Sequence, residues 1–176
     1  MYSQYFNANR PMDPLVSVII PVKNRESLVL DALDSVLKQV YSNIEVIVVD
    51  DWSDDNTVEN IKLYFPQVRV LSNNGKGACS ARNTGLSFSS GDLIQFLDSD
   101  DLLRPRAIDR KVRALINPNV DHLAVVASLW QYFGDTLNKE ERLIVHPKSL
   151  SKCNAYNKPL QILEQLFLAG DFFAPH

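Results

Sequence analysis

Cysteine is scarce in this chain of 176 residues, which also lacks an excess of positive charge. Cys79 and Cys153 are too few and too far apart for a disulfide framework or a four-ligand zinc site, so we expect free thiols in a reducing compartment. Lys and Arg number 18 against 21 Asp and Glu, which gives a net charge of -3. Because no broad basic field is available to hold a nucleic-acid backbone, we expect no nucleic-acid partner.

Long apolar segments are also missing from the sequence. Residues 1–14 are polar and mixed, unlike a signal peptide, and no run approaches the ~20 apolar residues of a membrane-spanning helix. We therefore expect a cytoplasmic protein. Hydrophobic residues nevertheless make up 45% of the chain and charged residues 22%, which excludes disorder as the dominant state and favours one folded core.

Short β-branched runs alternate with segments of helical periodicity. The runs predict strands at 16–22, 44–49, 68–71 and 93–97. Between them, the spacing of apolar residues predicts helices at 27–39, 57–64 and 78–87. This order predicts an α/β fold with a Rossmann-like, mostly parallel sheet and helices on both faces.

The pattern is less regular after Pro105. It predicts a helix to about residue 116, strands at 123–130 and 143–145, and a helix at 159–168. No closing element precedes His176, so we interpret the sequence as truncated at its C-terminus. Apolar side chains left without cover would favour a homodimer or aggregation, and those we single out are Leu166, Phe167, Phe172 and Phe173.

Acidic residues are concentrated where the second and fourth predicted strands end. In an open parallel sheet, ligands bind beyond the carboxyl ends of the strands. Asp98 and Asp100 are two residues apart, so in extended backbone both can face one ligand. Mg²⁺ or Mn²⁺ binds one or two carboxylates and takes its other ligands from water and phosphate, so the pair predicts a metal with a diphosphate. A solvated acidic turn is the alternative.

Several other polar residues near the predicted strand ends each have two interpretations. Asp51 is either a turn or helix-capping residue, or it accepts a hydrogen bond from the imide N–H of a uracil ring. Trp52 either flanks that base or covers the sheet edge. Lys76, between two glycines and before a helix, is placed to bring charge toward phosphates, although the spacing is not that of a Walker loop. Arg82 is either a phosphate contact or a surface ion-pair partner.

Five blocks of the sequence occur in a fixed order. They are VSVIIPVKN at 16–24, SVLKQ at 35–39, EVIVVDDWSD at 45–54, GACSARNTGL at 77–86 and GDLIQFLDSDD at 91–101. In this order they resemble the family-two glycosyltransferases of the GT-A fold, over residues 16 to about 105. The resemblance implies transfer of a sugar from a nucleotide diphosphate donor, usually a UDP-sugar, to an acceptor hydroxyl, with inversion at the anomeric carbon and a divalent metal, Mn or Mg.

The resemblance also implies roles for individual residues. Pro21 would lie where the first strand touches the nucleotide, Asp51 would bind the uracil edge, Asp98 would approach the ribose and Asp100 would bind the metal. Trp52 departs from the pattern, because the family usually has Gly there. Asp100 and Asp98 are the candidate metal ligands, and the candidate nucleotide-sugar-binding residues are Pro21, Asn24, Asp51, Lys76, Arg82, Asp98, Ser99 and Asp100.

The resemblance further implies how the chain is divided. We expect an N-terminal arm at 1–14, a nucleotide-sugar-binding region at 15–120 and the start of an incomplete acceptor-binding region at 121–176. The family's general base lies well downstream of the Asp-x-Asp pair, so we identify no catalytic residue in this chain and expect the base beyond His176. We also expect a saccharide or lipid-linked acceptor, and contact of the full-length protein with the inner face of the membrane.

Other functions stay open at this point. A non-catalytic nucleotide-sugar-binding module would need the same donor-site residues. A magnesium-binding phospho-receiver domain would need an acidic pair after the first strand, where this chain has Lys23 and Asn24. A sugar nucleotidyltransferase would need a glycine-rich loop there, and residues 23–26 contain no glycine.

Overall fold

The computed structural model describes residues 13–116, which form a parallel sheet of four strands connected by helices. Strands and helices alternate along the chain, as the sequence predicts. The strands are β1 (Val16–Val22), β2 (Ile44–Asp50), β3 (Arg69–Ser72) and β4 (Leu93–Phe96). The helices are α1 (Leu28–Leu37), α2 (Thr57–Tyr64), α3 (Ala78–Ser87) and α4 (Ala107–Leu115).

Strand β1 lies at the centre of the sheet, whose order is β3-β2-β1-β4 with all neighbours parallel. It pairs with β2 over its whole length and with β4 as far as Ile19. The Ile19 carbonyl accepts a hydrogen bond from Leu97 N on the β4 side. Backbone groups of alternate residues in a strand point to the same neighbouring strand, so the Pro21 nitrogen, two residues after Ile19, also points to the β4 side. Strand β4 has ended before this level of the sheet, so the N–H that proline lacks breaks no hydrogen bond between strands. The strand therefore continues through Pro21 to the carboxyl edge of the sheet.

Alternate residues of the central strands are buried on opposite faces of the sheet. On one face, Val18 and Ile20 belong to a cluster that includes side chains of α1, α2 and α4. On the other face, Ile19 and Val49 pack with Ala81 of α3. Both faces of a parallel sheet must be covered for its strands to be apolar throughout. The predicted fold class, a parallel α/β sheet with helices on both faces, is confirmed.

Helix α3 approaches the sheet closely because a glycine lies at the point of contact. A Cβ atom on Gly85 would lie 3.2 Å from Val49 Cγ2 and would clash with the Ile19 side chain. Arg82 precedes Gly85 by about one turn of this helix. The close packing at Gly85 therefore fixes the position from which the Arg82 side chain extends.

Some predicted features can be compared with the structure and others lie outside residues 13–116. The helix predicted after Pro105 is confirmed as α4, and Cys79 is a free, exposed thiol. None of the helices in the described part of the chain has the length and apolar character of a membrane-spanning segment. Outside the described residues lie Cys153, the region 121–176 with its two predicted strands and its helix at 159–168, the apolar residues near the C-terminus, and nearly all of the arm at 1–14.

Glu45 connects three segments at the edge of the sheet opposite the carboxyl ends. Its Oε1 accepts hydrogen bonds from Ser17 Oγ at 2.5 Å and from Ser90 N at 2.6 Å. Ser17 Oγ in turn accepts one from Gly91 N at 2.9 Å. Burial acts to raise the pKa of Glu45, but the hydrogen bonds from Ser17 and from the backbone of Ser90 and Gly91 outweigh it, and the pKa is lowered.

We predict that Glu45→Gln destabilises the fold at neutral pH and that the effect disappears in acid. A carboxylate whose pKa is lowered by folding stabilises the protein above its unfolded pKa, and this contribution is lost as the pH falls through the folded value. Urea unfolding at pH 7 should show that the free energy of unfolding of the variant is about 1 kcal/mol lower than that of the wild type. This difference between variant and wild type should disappear as the pH is lowered below about 4.5.

The matched control for this variant is Glu59→Gln, which changes an exposed glutamate of α2. It should have a smaller effect, of a few tenths of a kcal/mol. A loss of stability in Glu45→Gln that is equal at pH 7 and pH 3 would contradict the role given to the carboxylate.

Candidate functional site

A cleft of about 250 Å³ lies at the carboxyl edge of the sheet, between the segments that follow β1, β2 and β4 and the start of α3. Six of the eight candidate binding residues line it: Pro21, Asp51, Arg82, Asp98, Ser99 and Asp100. The other lining residues are Val22, Lys23, Arg25 and Ala78. The structure therefore brings together carboxylates that are far apart in sequence, as expected for the ends of parallel strands.

Asp51 lies in the wall of the cleft with only 8% of its surface exposed. Its two carboxylate oxygens both accept a hydrogen bond from Gly77 N, at 3.0 and 2.9 Å. Oδ1 also accepts one from the Asn73 amide nitrogen at 2.6 Å. The carboxylate thus joins the end of β2 to the loop that precedes α3, a connection that neither interpretation of Asp51 from sequence included.

Asn73 is a buried polar residue that sequence reasoning missed. It is 1% exposed and directly follows β3. While its amide nitrogen donates to Asp51, its Oδ1 accepts hydrogen bonds from Gly75 N at 3.2 Å, Ser80 Oγ at 2.9 Å and Thr84 Oγ1 at 3.2 Å. The available signal in the sequence was an amide residue immediately after a strand and before two closely spaced glycines, which indicates a tight loop needing side-chain support.

Trp52 has a φ of 61°, in the left-handed region of backbone conformation that is unusual for a non-glycine residue. Its indole Nε1 donates a hydrogen bond to Gly75 O at 3.1 Å, and the residue is 62% exposed. Trp52 is not among the cleft-lining residues. It is instead a second connection between the β2 exit and the loop at 73–77.

Asn24 and Lys76 are the two candidate residues that do not line the cleft. Asn24 has a φ of 50° and joins the loops after β1 and β2: its backbone N donates to Ser53 Oγ, and its Oδ1 accepts from Asp54 N, both at 3.0 Å. Lys76 is exposed. In their place, the cleft includes two cations that we did not assign from sequence, Lys23 and Arg25, which follow β1 directly.

The segment after β4 forms a turn, in which Asp101 N donates a hydrogen bond to Asp98 O at 3.0 Å, and does not have the extended backbone expected from the sequence. Asp98 and Asp100 are exposed, whereas Ser99 between them is buried. Arg82 Nη2 forms an ion pair with Asp98 Oδ1 at 2.5 Å, with side chains 31% and 54% exposed. Burial, with repulsion from Asp98 and Asp100, raises the pKa of Asp101.

The carboxylate pair has the donor chemistry of a partial metal site. Within residues 13–116, no group of three or more His, Cys, Asp or Glu side chains could hold a metal ion on its own. Asp98 and Asp100 supply hard oxygen ligands, and Mg²⁺ and Mn²⁺ commonly complete such a set with water and phosphate. The residues present therefore fit a divalent ion that arrives with a phosphate-bearing ligand.

Comparison with known proteins finds one family over most of the chain. The family model described as "Glycosyl transferase family 2" matches residues 17–174. The UDP-Glc:alpha-D-GlcNAc-diphosphoundecaprenol beta-1,3-glucosyltransferase WfgD of Escherichia coli is 38% identical over 113 residues, which are 63% of this chain and 45% of that protein. Chondroitin synthase of Pasteurella multocida is 43% identical over 99 residues, 54% of this chain and 10% of that protein. The chain thus spans less than half the length of these relatives.

Solved structures with similar folds include complexes with nucleotides. The mannosyltransferase PcManGT from Pyrobaculum calidifontis, in complex with GDP-Man and Mn²⁺, has a TM-score of 0.55 and 28% identity, covering 62% of this chain and 34% of that one. S. aureus TarS 1-349 in complex with UDP has a TM-score of 0.53 and 30% identity, covering 58% and 32%. Both likenesses cover more than half of this chain and about a third of the solved chain.

We predict that the Arg82–Asp98 ion pair contributes little to stability. Because both side chains are partly exposed, Arg82→Met should lower the free energy of unfolding by no more than about 1 kcal/mol in urea titrations. The matched control is Lys38→Met, which breaks the exposed ion pair between Lys38 and Asp34 in α1. A loss of more than about 2 kcal/mol in Arg82→Met alone would show that this pair supports the fold rather than the cleft.

Proposed function

This chain belongs to glycosyltransferase family 2, and from that membership together with the cleft we propose that it binds a nucleotide diphosphate sugar, expected to be a UDP-sugar, for transfer to an acceptor hydroxyl. The observation that carries the proposal is the meeting of Asp51, Arg82, Asp98 and Asp100 in one cleft at the carboxyl edge of the sheet. Family membership leaves no support for the phospho-receiver and nucleotidyltransferase alternatives.

The mixture of charges in the cleft matches a metal–diphosphate ligand. Three carboxylates, on Asp51, Asp98 and Asp100, lie in the same cleft as three cationic side chains, on Lys23, Arg25 and Arg82. A purely acidic cleft would suit a hydrated cation, and a purely basic one a free anion. A divalent ion with its phosphates carries both positive and negative charge, so it requires carboxylates for the metal and cationic side chains for the phosphates.

Asp51 is the residue proposed to bind the nucleobase. Its Oδ1 already accepts hydrogen bonds from Asn73 and Gly77, whereas Oδ2 accepts from residues 13–116 only the shared hydrogen bond of Gly77 N. A carboxylate oxygen has room for two acceptor interactions, so Oδ2 can take the imide N–H of uracil. Guanine carries an N–H at an equivalent edge, and the solved relatives include complexes with UDP and with GDP-Man. We propose UDP because the E. coli relative is named for UDP-Glc.

Asp98 and Asp100 are the residues proposed to hold Mn²⁺ or Mg²⁺, and the Mn²⁺ complex among the solved relatives supports a divalent ion. When bound, such an ion neutralises charge that develops on the diphosphate leaving group. Arg82 then has an anionic partner available in the phosphates as well as in Asp98.

Transfer with inversion also requires a general base on the opposite side of the sugar. The base must lie within hydrogen-bond reach of the acceptor hydroxyl to remove its proton. We assign no base among residues 13–116. We propose a saccharide or lipid-linked acceptor because the name of the E. coli relative includes a diphosphoundecaprenol-linked sugar. Contact with the inner face of the membrane and a homodimer remain part of the proposal for the whole protein.

The proposal is tested by calorimetric titration of the chain with UDP in the presence of Mn²⁺. We predict that Asp100→Asn raises the Kd for UDP at least tenfold, about 1.4 kcal/mol, because the variant removes an ionised ligand of the metal. Without Mn²⁺, the wild-type chain should bind UDP as weakly as this variant does.

The control for this titration is Asp54→Asn. Asp54 is an exposed aspartate near the same sheet edge that does not line the cleft. Its Kd for UDP should stay within about twofold of the wild-type value, which is about 0.4 kcal/mol. Equal affinities for UDP in the wild type and in Asp100→Asn would refute the proposed metal site.

A further inference from the structure

The position of the Asp51 carboxylate depends on a residue that does not line the cleft. Asn73 is buried behind Asp51 and donates its amide N–H to Asp51 Oδ1 at 2.6 Å. Its backbone N also donates to Asp50 O at 2.8 Å, which continues the β2–β3 pairing to the carboxyl edge. The sheet therefore fixes the backbone of Asn73, and the hydrogen bond from the Asn73 amide in turn fixes the Asp51 carboxylate.

The oxygen of the Asn73 amide also forms hydrogen bonds within the protein. Its Oδ1 accepts three hydrogen bonds, from the loop at Gly75 and from Ser80 and Thr84 on α3. Gly75 N can only donate and the Asp51 carboxylate can only accept, so the amide oxygen must face Gly75 and the amide nitrogen must face Asp51. The orientation places an N–H, not an oxygen, against Asp51.

We propose that Asn73 is a positioning residue for recognition of the donor nucleobase. By occupying Oδ1 of Asp51, it holds the carboxylate in one rotamer and leaves Oδ2 for the N–H edge of the base. This inference rests on the proposed function of the cleft. It predicts that donor affinity depends on Asn73 although the donor never touches it.

The effect should be confined to the base end of the ligand. The metal and diphosphate are assigned to Asp98, Asp100 and Arg82, and α3, which carries Arg82, is held to the sheet independently through Ala81 and Gly85. Loss of the Asn73 amide should therefore weaken binding of UDP while leaving binding of inorganic pyrophosphate unchanged. A general loosening of the fold would weaken both ligands.

The decisive variant is Asn73→Asp, which keeps the size and the acceptor oxygen of residue 73 but replaces the donor to Asp51 with a second carboxylate. Calorimetry on the 176-residue chain with Mn²⁺ should give a Kd for UDP at least tenfold higher than in the wild type. The Kd for pyrophosphate should stay within twofold. The ratio of the two affinities is the readout that a merely structural role would not change.

Ser80→Ala is the matched control. It removes a hydrogen bond of similar length to the same Asn73 side chain, 2.9 Å to Oδ1, but leaves the bond to Asp51 in place. We expect its ratio of UDP to pyrophosphate affinity to equal that of the wild type, even if its melting temperature falls. Asn73→Ser, a smaller residue that cannot span the distance to Asp51, is the second variant and should lose UDP affinity as Asn73→Asp does.

The outcomes separate this inference from the proposed function. If the wild-type chain binds UDP no better than pyrophosphate, the base site on Asp51 is wrong and the inference is wrong with it. If the wild type prefers UDP and the Asn73 variants keep that preference, only the inference is overturned. The inference is equally overturned if both variants lose both ligands together, or if circular dichroism shows that both are unfolded.

Discussion

The hydrogen bonds from Gly77 N and the Asn73 amide to the Asp51 carboxylate are the interaction on which the cleft depends. They connect the end of β2 to the loop that begins α3 across more than twenty residues of sequence. Burying a carboxylate is costly unless it is well supplied with donors, and here the protein supplies them from two directions. The result is a fixed cleft wall with a charged acceptor in it.

The parallel sheet explains why so few elements suffice to build the site. The segments after β1, β2 and β4 leave the sheet at one edge, and each contributes a different chemistry: cations after β1, the buried acceptor Asp51 after β2, and the exposed pair Asp98 and Asp100 after β4. The close approach of α3 at Gly85 adds the Arg82 guanidinium from the side. These are the groups that the proposed ligand, with its base, diphosphate and metal, would require.

The sequence was sufficient for the features that depend on local pattern. The β-branched runs predicted the four strands that lie within residues 13–116, and the strand ends predicted where carboxylates would meet. What could not be predicted depends on contacts between distant segments: the support of Asp51 by Asn73, and the hydrogen bond from Trp52 to Gly75 O. For the same reason the sequence indicated Asn24 as a binding residue, and its hydrogen bonds between the loops after β1 and β2 could not be predicted. A polar residue in a loop has the same local signal whether it binds a ligand or another loop.

We propose that Asp51, Asp98 and Asp100 bind the two ends of one nucleotide. A crystal structure of the chain with UDP and Mn²⁺ tests it most directly. We expect the uracil N–H to lie on Asp51 Oδ2, and the metal on Asp100 and Asp98 with the diphosphate beside Arg82. A nucleotide bound with its base away from Asp51, or a metal coordinated elsewhere, would contradict it.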